Sequence, residues 1–345
     1  MNNWILVTVK GYPIYASAAT ITLGYLLCVL MTLVLYKKRH RSIAAVLFLG
    51  VLGFVFGVLF SRFLHWYFNV ETYASLLAAF TDYTVGSFCV PGMLLGVWLA
   101  AWLSKKAGLT PTVGELLDAA APGLALLIAC IRLSAFFNTT CRSRILIKIS
   151  LLQHLPFASA TVDAAGNVTY RFATFFIEAI LMLVILVVVL RFYLEKGQRR
   201  MKRGCARTGH TARLFTLLYA AVAIVMDSTR YDSPLMHFRL ISYLNQYSAF
   251  ISLAQIFAGF SCLGILIRYS RDSIHANGFR WYHPAVWLGF LACLFGIGKL
   301  GEYNVQRYAT YLQCYGIMSL SCIVMVVLIW ALYRSCVSER ELLRE

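Results

Sequence analysis

The chain has 345 residues, of which 60% are hydrophobic and only 13% charged, more apolar material than a soluble fold of this length can bury. Its formal charge of +17 would point a soluble protein towards nucleic acid. In so apolar a chain the placement of charge matters more than its size, so a polytopic membrane protein without a nucleic-acid partner is expected.

Nine apolar runs are long enough to cross about 30 Å of hydrocarbon: residues 14–36, 43–68, 84–103, 114–137, 171–194, 212–230, 247–267, 284–300 and 312–333. They predict an all-α bundle of about nine transmembrane helices. Met1 to Pro13 lacks the basic start and small-residue cleavage site of a signal peptide, so the first span reads as retained. Lys37, Lys38, Arg39 and Arg41 follow the first span, and Lys105 and Lys106 the third. Arg191, Lys196, Arg199, Arg200, Lys202, Arg203, Arg207 and Arg213 fall between the fifth and sixth, with further arginines after the seventh and ninth. Most of the basic residues thus lie on alternate loops, which places the N-terminus outside and the C-terminus inside.

The outer loop 138–170 carries an amphiphilic stretch, 145–155, and a turn-like segment, 163–167, consistent with a small cap or an interfacial helix. The basic inner loop 195–213 reads as an anchor to anionic inner-leaflet lipid. Residues 11–270 read as one membrane domain, and 278–345 as an added pair of spans with a short cytoplasmic tail. Lys299, Glu302 and Arg307, at the outer turn of that pair, read as packing. Asp118 reads as a charge favouring the N-terminal dipole of its own helix. Cys28, Cys130, Cys262, Cys293 and Cys322 fall within spans and no Cys-x-x-Cys occurs, so the cysteines read as small apolar fillers. The seven histidines are scattered without paired spacing, and neither a metal nor another cofactor is expected. A serine-hydrolase elbow, Gly-x-Ser-x-Gly, is absent.

Arg132 lies inside the run 114–137, where a guanidinium costs at least about 2.5–3.5 kcal/mol on insertion scales and so marks a protein-facing, functional position. It is about six residues from the outer end of its span, roughly 9 Å deep at 1.5 Å per residue. Arg62 is at a similar depth, Glu178 about seven residues into the fifth span and Gln255 about eight into the seventh. Asp227 and Arg230 close the sixth span one turn apart, and Tyr15 opens the first. Together they form one polar layer near the outer face. Its arginines suit a phosphodiester, because the planar fork donates two hydrogen bonds to phosphate oxygens.

Gly86-Ser-Phe-Cys-Val-Pro-Gly-Met-Leu-Leu-Gly96, Glu115-Leu-Leu-Asp-Ala-Ala-Ala-Pro-Gly-Leu-Ala-Leu126 and Arg132-Leu-Ser-Ala-Phe-Phe-Asn138 resemble the central region of bacterial prolipoprotein diacylglyceryl transferases. The resemblance continues through Ile14-Tyr-Ala, Ser61-Arg62, Tyr170 to Glu178, Asp227-Ser-Thr-Arg230 and Ser252-Leu-Ala-Gln255, over roughly residues 11–270. It implies transfer of the diacylglyceryl group of phosphatidylglycerol to the thiol of a lipoprotein signal-peptide cysteine, in the bacterial plasma membrane. Arg132, Asp227 and Glu178 would then be catalytic, and Tyr15, Arg62, Gly92, Asn138, Arg230 and Gln255 would bind substrate.

Departures from the family pattern bear on mechanism. Pro91 stands where the family has a histidine before two glycines, and Gly92 is followed by Met93. Ala135 and Thr140 replace an asparagine and an acidic residue, Ala223 replaces an arginine, and the acid one turn later is shortened to Asp227. The base for the thiol is therefore open between His65, His154, His237, Glu178 and Asp227. Three readings remain: a divergent transferase, a non-catalytic paralogue that binds lipid or signal peptide, and a transporter of a lipid-like anion. The topology has a direct test. Green fluorescent protein fused to the C-terminus is expected to fluoresce and alkaline phosphatase fused there to stay inactive, and the reverse pattern would invert the assignment.

Overall fold

The structure, a computed structural model, describes residues 4–9, 12–68, 75–81, 89–137, 142–162, 166–203, 208–230, 252–305 and 311–342. A hairpin of β1 (Ile5–Val9) and β2 (Tyr12–Tyr15) leads into α1 (Ala16–Lys37) and α2 (Ile43–Phe68). Then come α3 (Leu76–Thr81), α4 (Val90–Lys106) and α5 (Val113–Ser134). The outer loop contributes α6 (Ser150–Gln153) and a second hairpin, β3 (Ala158–Val162) with β4 (Val168–Phe172). Next are α7 (Thr174–Arg203), α8 (His210–Thr229), α9 (Leu253–Asn277) and α10 (Tyr282–Phe295). A π-helical segment, Gly296–Tyr303, precedes the final helix, α11 (Tyr311–Leu342).

Among the described residues eight helices are long and apolar enough to cross a membrane, so the chain is a multi-pass, all-α membrane protein. The ninth predicted span is α4, whose 17 described residues reach only about 26 Å at 1.5 Å per residue. In the outer loop only Ser150–Gln153 of the amphiphilic stretch is helical, and β3 pairs antiparallel with β4, where alternating polar and apolar residues favour pairing.

The chain divides into two compact units, residues 1–215 with 229–234, and 216–228 with 235–345. In the first, α1 packs on α5, α2 on α4, and α5 on α7. Lipid tails are as apolar as leucine, so helix association there depends on close approach and polar contacts. The sequence provides both. Gly92 and Gly96 form a small-xxx-small face on α4, and a Cβ on either would collide with the backbone of Phe60–Ser61 or Phe56–Gly57 on α2. Gly123 similarly lets α5 meet the Cys28 carbonyl of α1. The middle of α5 is correspondingly rich in alanine and almost wholly buried.

Polar contacts close the opposite end of this unit. The Thr112 hydroxyl caps α5 by accepting from Glu115 N, and Glu115 pairs with Arg41 at 2.8 Å. Asp118 serves a different helix from the one expected: its carboxylate accepts from Gly209 N at 2.7 Å and Ala212 N at 2.9 Å, capping α8. The charge is stabilised by the free N–H groups of that terminus.

In the second unit α11 packs against α9, α10 and the π-helical segment. Both ends of α9 are tied by side chains. Ser252 and Gln255 form a capping box at its start, and Gly278, at φ 71°, lets the chain turn after its end. Near that end Ser273 meets His283 Nε2 at 3.1 Å, the Ser335 hydroxyl at 3.0 Å and the Tyr282 hydroxyl at 3.3 Å. The helices after Asn277 are therefore joined to α9 by polar as well as apolar contact.

Asp118→Ala removes the α8 cap, a loss of about 1 kcal/mol. It is expected to lower the thermal midpoint in detergent by about 2–4 °C, measured against wild type. An unchanged midpoint would show that water caps α8 equally well.

Candidate functional site

Arg132 occupies the last turn of α5 and Glu178 the second turn of α7. The packing of α5 on α7 brings the two together: Arg132 Nε lies 2.7 Å from Glu178 Oε1, with the Arg132 side chain 10% exposed and that of Glu178 1%. The approach is short but poorly aligned, so neither Glu178 oxygen accepts a hydrogen bond from the described residues. A carboxylate so placed neutralises the guanidinium and keeps lone pairs for a further donor. Two charges removed from water need this mutual compensation, since loss of one partner from a buried pair costs about 3–5 kcal/mol.

Arg62 is buried on α2, and its Nη1 donates to the Ala79 carbonyl of α3 at 3.4 Å. The preceding residue, Ser61, clips the start of α4: its hydroxyl donates to the Cys89 carbonyl at 2.8 Å and accepts from Cys89 N at 2.6 Å. Between the pairs α1–α5 and α2–α4 lies an apolar cavity of about 330 Å³. It runs from Ser61, Cys89 and Ile131 to Thr32 and Val46, lined mostly by aliphatic side chains. Arg62 and Arg132 each follow directly on a residue that lines it. Neither arginine lines the cavity itself: Arg132 is directed to Glu178 on α7 and Arg62 to the Ala79 carbonyl on α3.

The other predicted residues are placed as follows. Tyr15 ends β2 and occupies the extended position before α1, half-buried. Gly92 is buried in the α2–α4 crossing, where its missing side chain serves helix approach. Arg230 pairs through its backbone with Ser143, and its carbonyl accepts from Arg144 Nε at 2.8 Å, joining the outer loop to the end of α8. In the second unit Asp227 is buried in the last turn of α8. Gln255 is also buried there, and its amide is heavily engaged. Oε1 accepts from Ser252 N at 2.9 Å, and Nε2 donates to the Ile224 carbonyl at 3.1 Å and to Glu302 Oε2 at 2.9 Å. Asn138, Thr140, His237 and Arg307 lie outside the described residues. His154 is exposed after α6, and His65 is half-buried near the end of α2.

The sequence gives Glu302 only a packing role at the outer turn of the last pair; the structure buries it, 2% exposed, and adds a hydrogen bond to Gln255. The signal was present, because 282–303 is a continuous apolar span with the carboxylate one residue from its end.

Comparison with known proteins gives one result that bears on this geometry. Residues 4–265 match the family model described as prolipoprotein diacylglyceryl transferase. No curated protein matches the chain.

The Arg132–Glu178 pair has a thermodynamic signature. Arg132→Ala and Glu178→Ala are each expected to destabilise the protein by about 3–5 kcal/mol, and the double variant by clearly less than the sum. Additive midpoint shifts in a thermal double-mutant cycle would show that the two charges are not coupled.

Proposed function

Because the chain belongs to the prolipoprotein diacylglyceryl transferase family, we propose that it moves the diacylglyceryl group of an anionic phospholipid such as phosphatidylglycerol to a thiol of a lipoprotein precursor, in the bacterial plasma membrane. The observation that carries this reading is the buried Arg132–Glu178 pair on α5, a helix that also lines an apolar cavity of about 330 Å³. The cavity takes an acyl chain. Arg132 and Arg62, with Arg230, hold the phosphate, and Tyr15 and Asn138 complete the lipid-binding side.

In the reaction the thiol sulfur bonds to the glyceryl carbon bearing the phosphate, the carbon–oxygen bond breaks, and glycerol phosphate leaves with the electron pair. Guanidinium groups aimed at the phosphate stabilise the charge that develops on the leaving oxygen. The thiol proton needs an acceptor, since the thiolate is the nucleophile. Glu178 fills that role, its oxygens accepting no hydrogen bond from the described residues; the family resemblance gives Asp227 a part in the transfer as well. Proline at position 91 cannot exchange a proton, so the base differs from the histidine that the family resemblance places there.

A second reading, a lipid- or signal-peptide-binding paralogue without transfer, is favoured by Pro91 and Ala223 together. One experiment separates the two. The protein is expressed in cells depleted of their own transferase, and a lipobox peptide is analysed by mass spectrometry. Thioether-linked diacylglycerol is expected on the peptide cysteine, and Arg132→Ala should reduce it at least about 100-fold. Folded protein that retains phosphatidylglycerol but leaves the peptide unmodified would establish the binding reading instead.

A further inference from the structure

The family match ends at residue 265, and α10, the π-helical segment and α11 follow it. We propose that Glu302, supplied by these later helices, is a positioning residue of the site: through Gln255 it holds the last turn of α8, which carries Asp227. This rests on the reading that Asp227 takes part in transfer.

Three observations carry it. Glu302 is a carboxylate within an apolar span and is 2% exposed. Ionisable groups at such positions are expensive and are retained for a task. The helix is also irregular there. Residues Gly296–Tyr303 follow a π-helical course, a widened turn that is rare and frequent at functional positions. A Cβ on Gly301 would overlap the Met318 side chain, and one on Gly296 the Ser321 hydroxyl, so the segment is seated directly on α11 and the register of Glu302 is fixed.

The third observation is where the carboxylate leads. Glu302 Oε2 accepts from Gln255 Nε2 at 2.9 Å, and the same nitrogen donates to the Ile224 carbonyl at 3.1 Å. With Oε1 taken by Ser252 N, the amide has no N–H left to give. Gln255 is thus a connector between α9, α8 and Glu302. A parallel contact comes from α11, where the Tyr315 hydroxyl donates to the Ser228 carbonyl at 3.1 Å. Ile224 and Ser228 lie either side of Asp227 within one helical turn. Tyr315 reaches that turn directly from a helix after the matched region and Glu302 reaches it through Gln255, so the later helices complete the setting of a residue belonging to the matched region.

Removing the carboxylate releases one N–H of Gln255 and loosens its hold on Ile224. A glutamine at 302 still offers an acceptor oxygen at the same reach. The contrast between these changes separates positioning from bulk packing.

The test uses the full-length protein in phosphatidylglycerol-containing nanodiscs, comparing wild type, Glu302→Ala and Glu302→Gln. Glu302→Ala is expected to speed backbone hydrogen exchange in residues 224–229 at least tenfold, leaving 116–132 unchanged. It should also lower kcat for lipobox-peptide modification at least tenfold with KM for the lipid within twofold. Glu302→Gln should restore both to within threefold of wild type. Wild-type exchange and kcat in Glu302→Ala would overturn the proposal, as would a uniform rise in exchange across the protein. Should Glu302→Ala fail to accumulate, Glu302→Asp keeps the charge but draws it back from the Gln255 amide. It is expected to give the same two changes, and wild-type behaviour would again overturn the proposal. If wild type itself transfers nothing, the transferase reading fails, and hydrogen exchange alone still decides whether Glu302 holds the α8 turn.

Discussion

The ion pair between Arg132 and Glu178 joins α5 to α7 at a depth where water cannot substitute for either partner. Much of the first unit is arranged around the helix that carries it. Along α5, capping and acidic groups occupy the start, alanine and glycine fill the middle, and the arginine stands near the end. The small middle lets α1 and α7 approach closely, and the polar ends fix how far the helix is turned about its axis. A helix held only by small residues can slide or rotate, since lipid offers no penalty for exposing apolar side chains. Charged contacts at its ends, with Arg41 paired to Glu115 and Asp118 on the α8 terminus, remove that freedom.

That rigidity gives the apolar cavity its shape. The two helix pairs, α1 with α5 and α2 with α4, each close tightly through glycine, and the space left between them is lined by aliphatic groups with a polar margin at Ser61 and Cys89. In the transferase reading proposed above, this slot takes an acyl chain, and Arg132 and Arg62, each one residue along from a lining residue, supply the positive charge.

Span positions were legible because twenty or so consecutive apolar residues leave few alternatives in a membrane. The layer of expensive charges is legible for the same reason, and depth arithmetic puts Arg132 and Glu178 at matching levels, in keeping with their contact. What escaped the sequence depends on partners. Asp118 sits near the start of its own helix, so its local dipole looked sufficient. That it caps α8 instead follows from where the start of α8 meets α5, at Gly209 and Ala212. The hairpin in the outer loop was hidden because short strands stabilise each other only once paired. Glu302 falls at a turn in the sequence because the expected span stops at 300, two residues before it, while the helix runs on to Tyr303 along a π-helical course that defeats counting by 3.6 residues per turn.

Pro91 is the second residue of α4. The first N–H groups of a helix have no partner inside it, so a proline there forfeits no backbone bond and adopts a backbone angle the helix already uses. The proline therefore costs α4 no backbone bond, and its ring starts the helix rather than kinking it, so the close approach of α4 to α2 at Gly92 and Gly96 begins on a straight first turn.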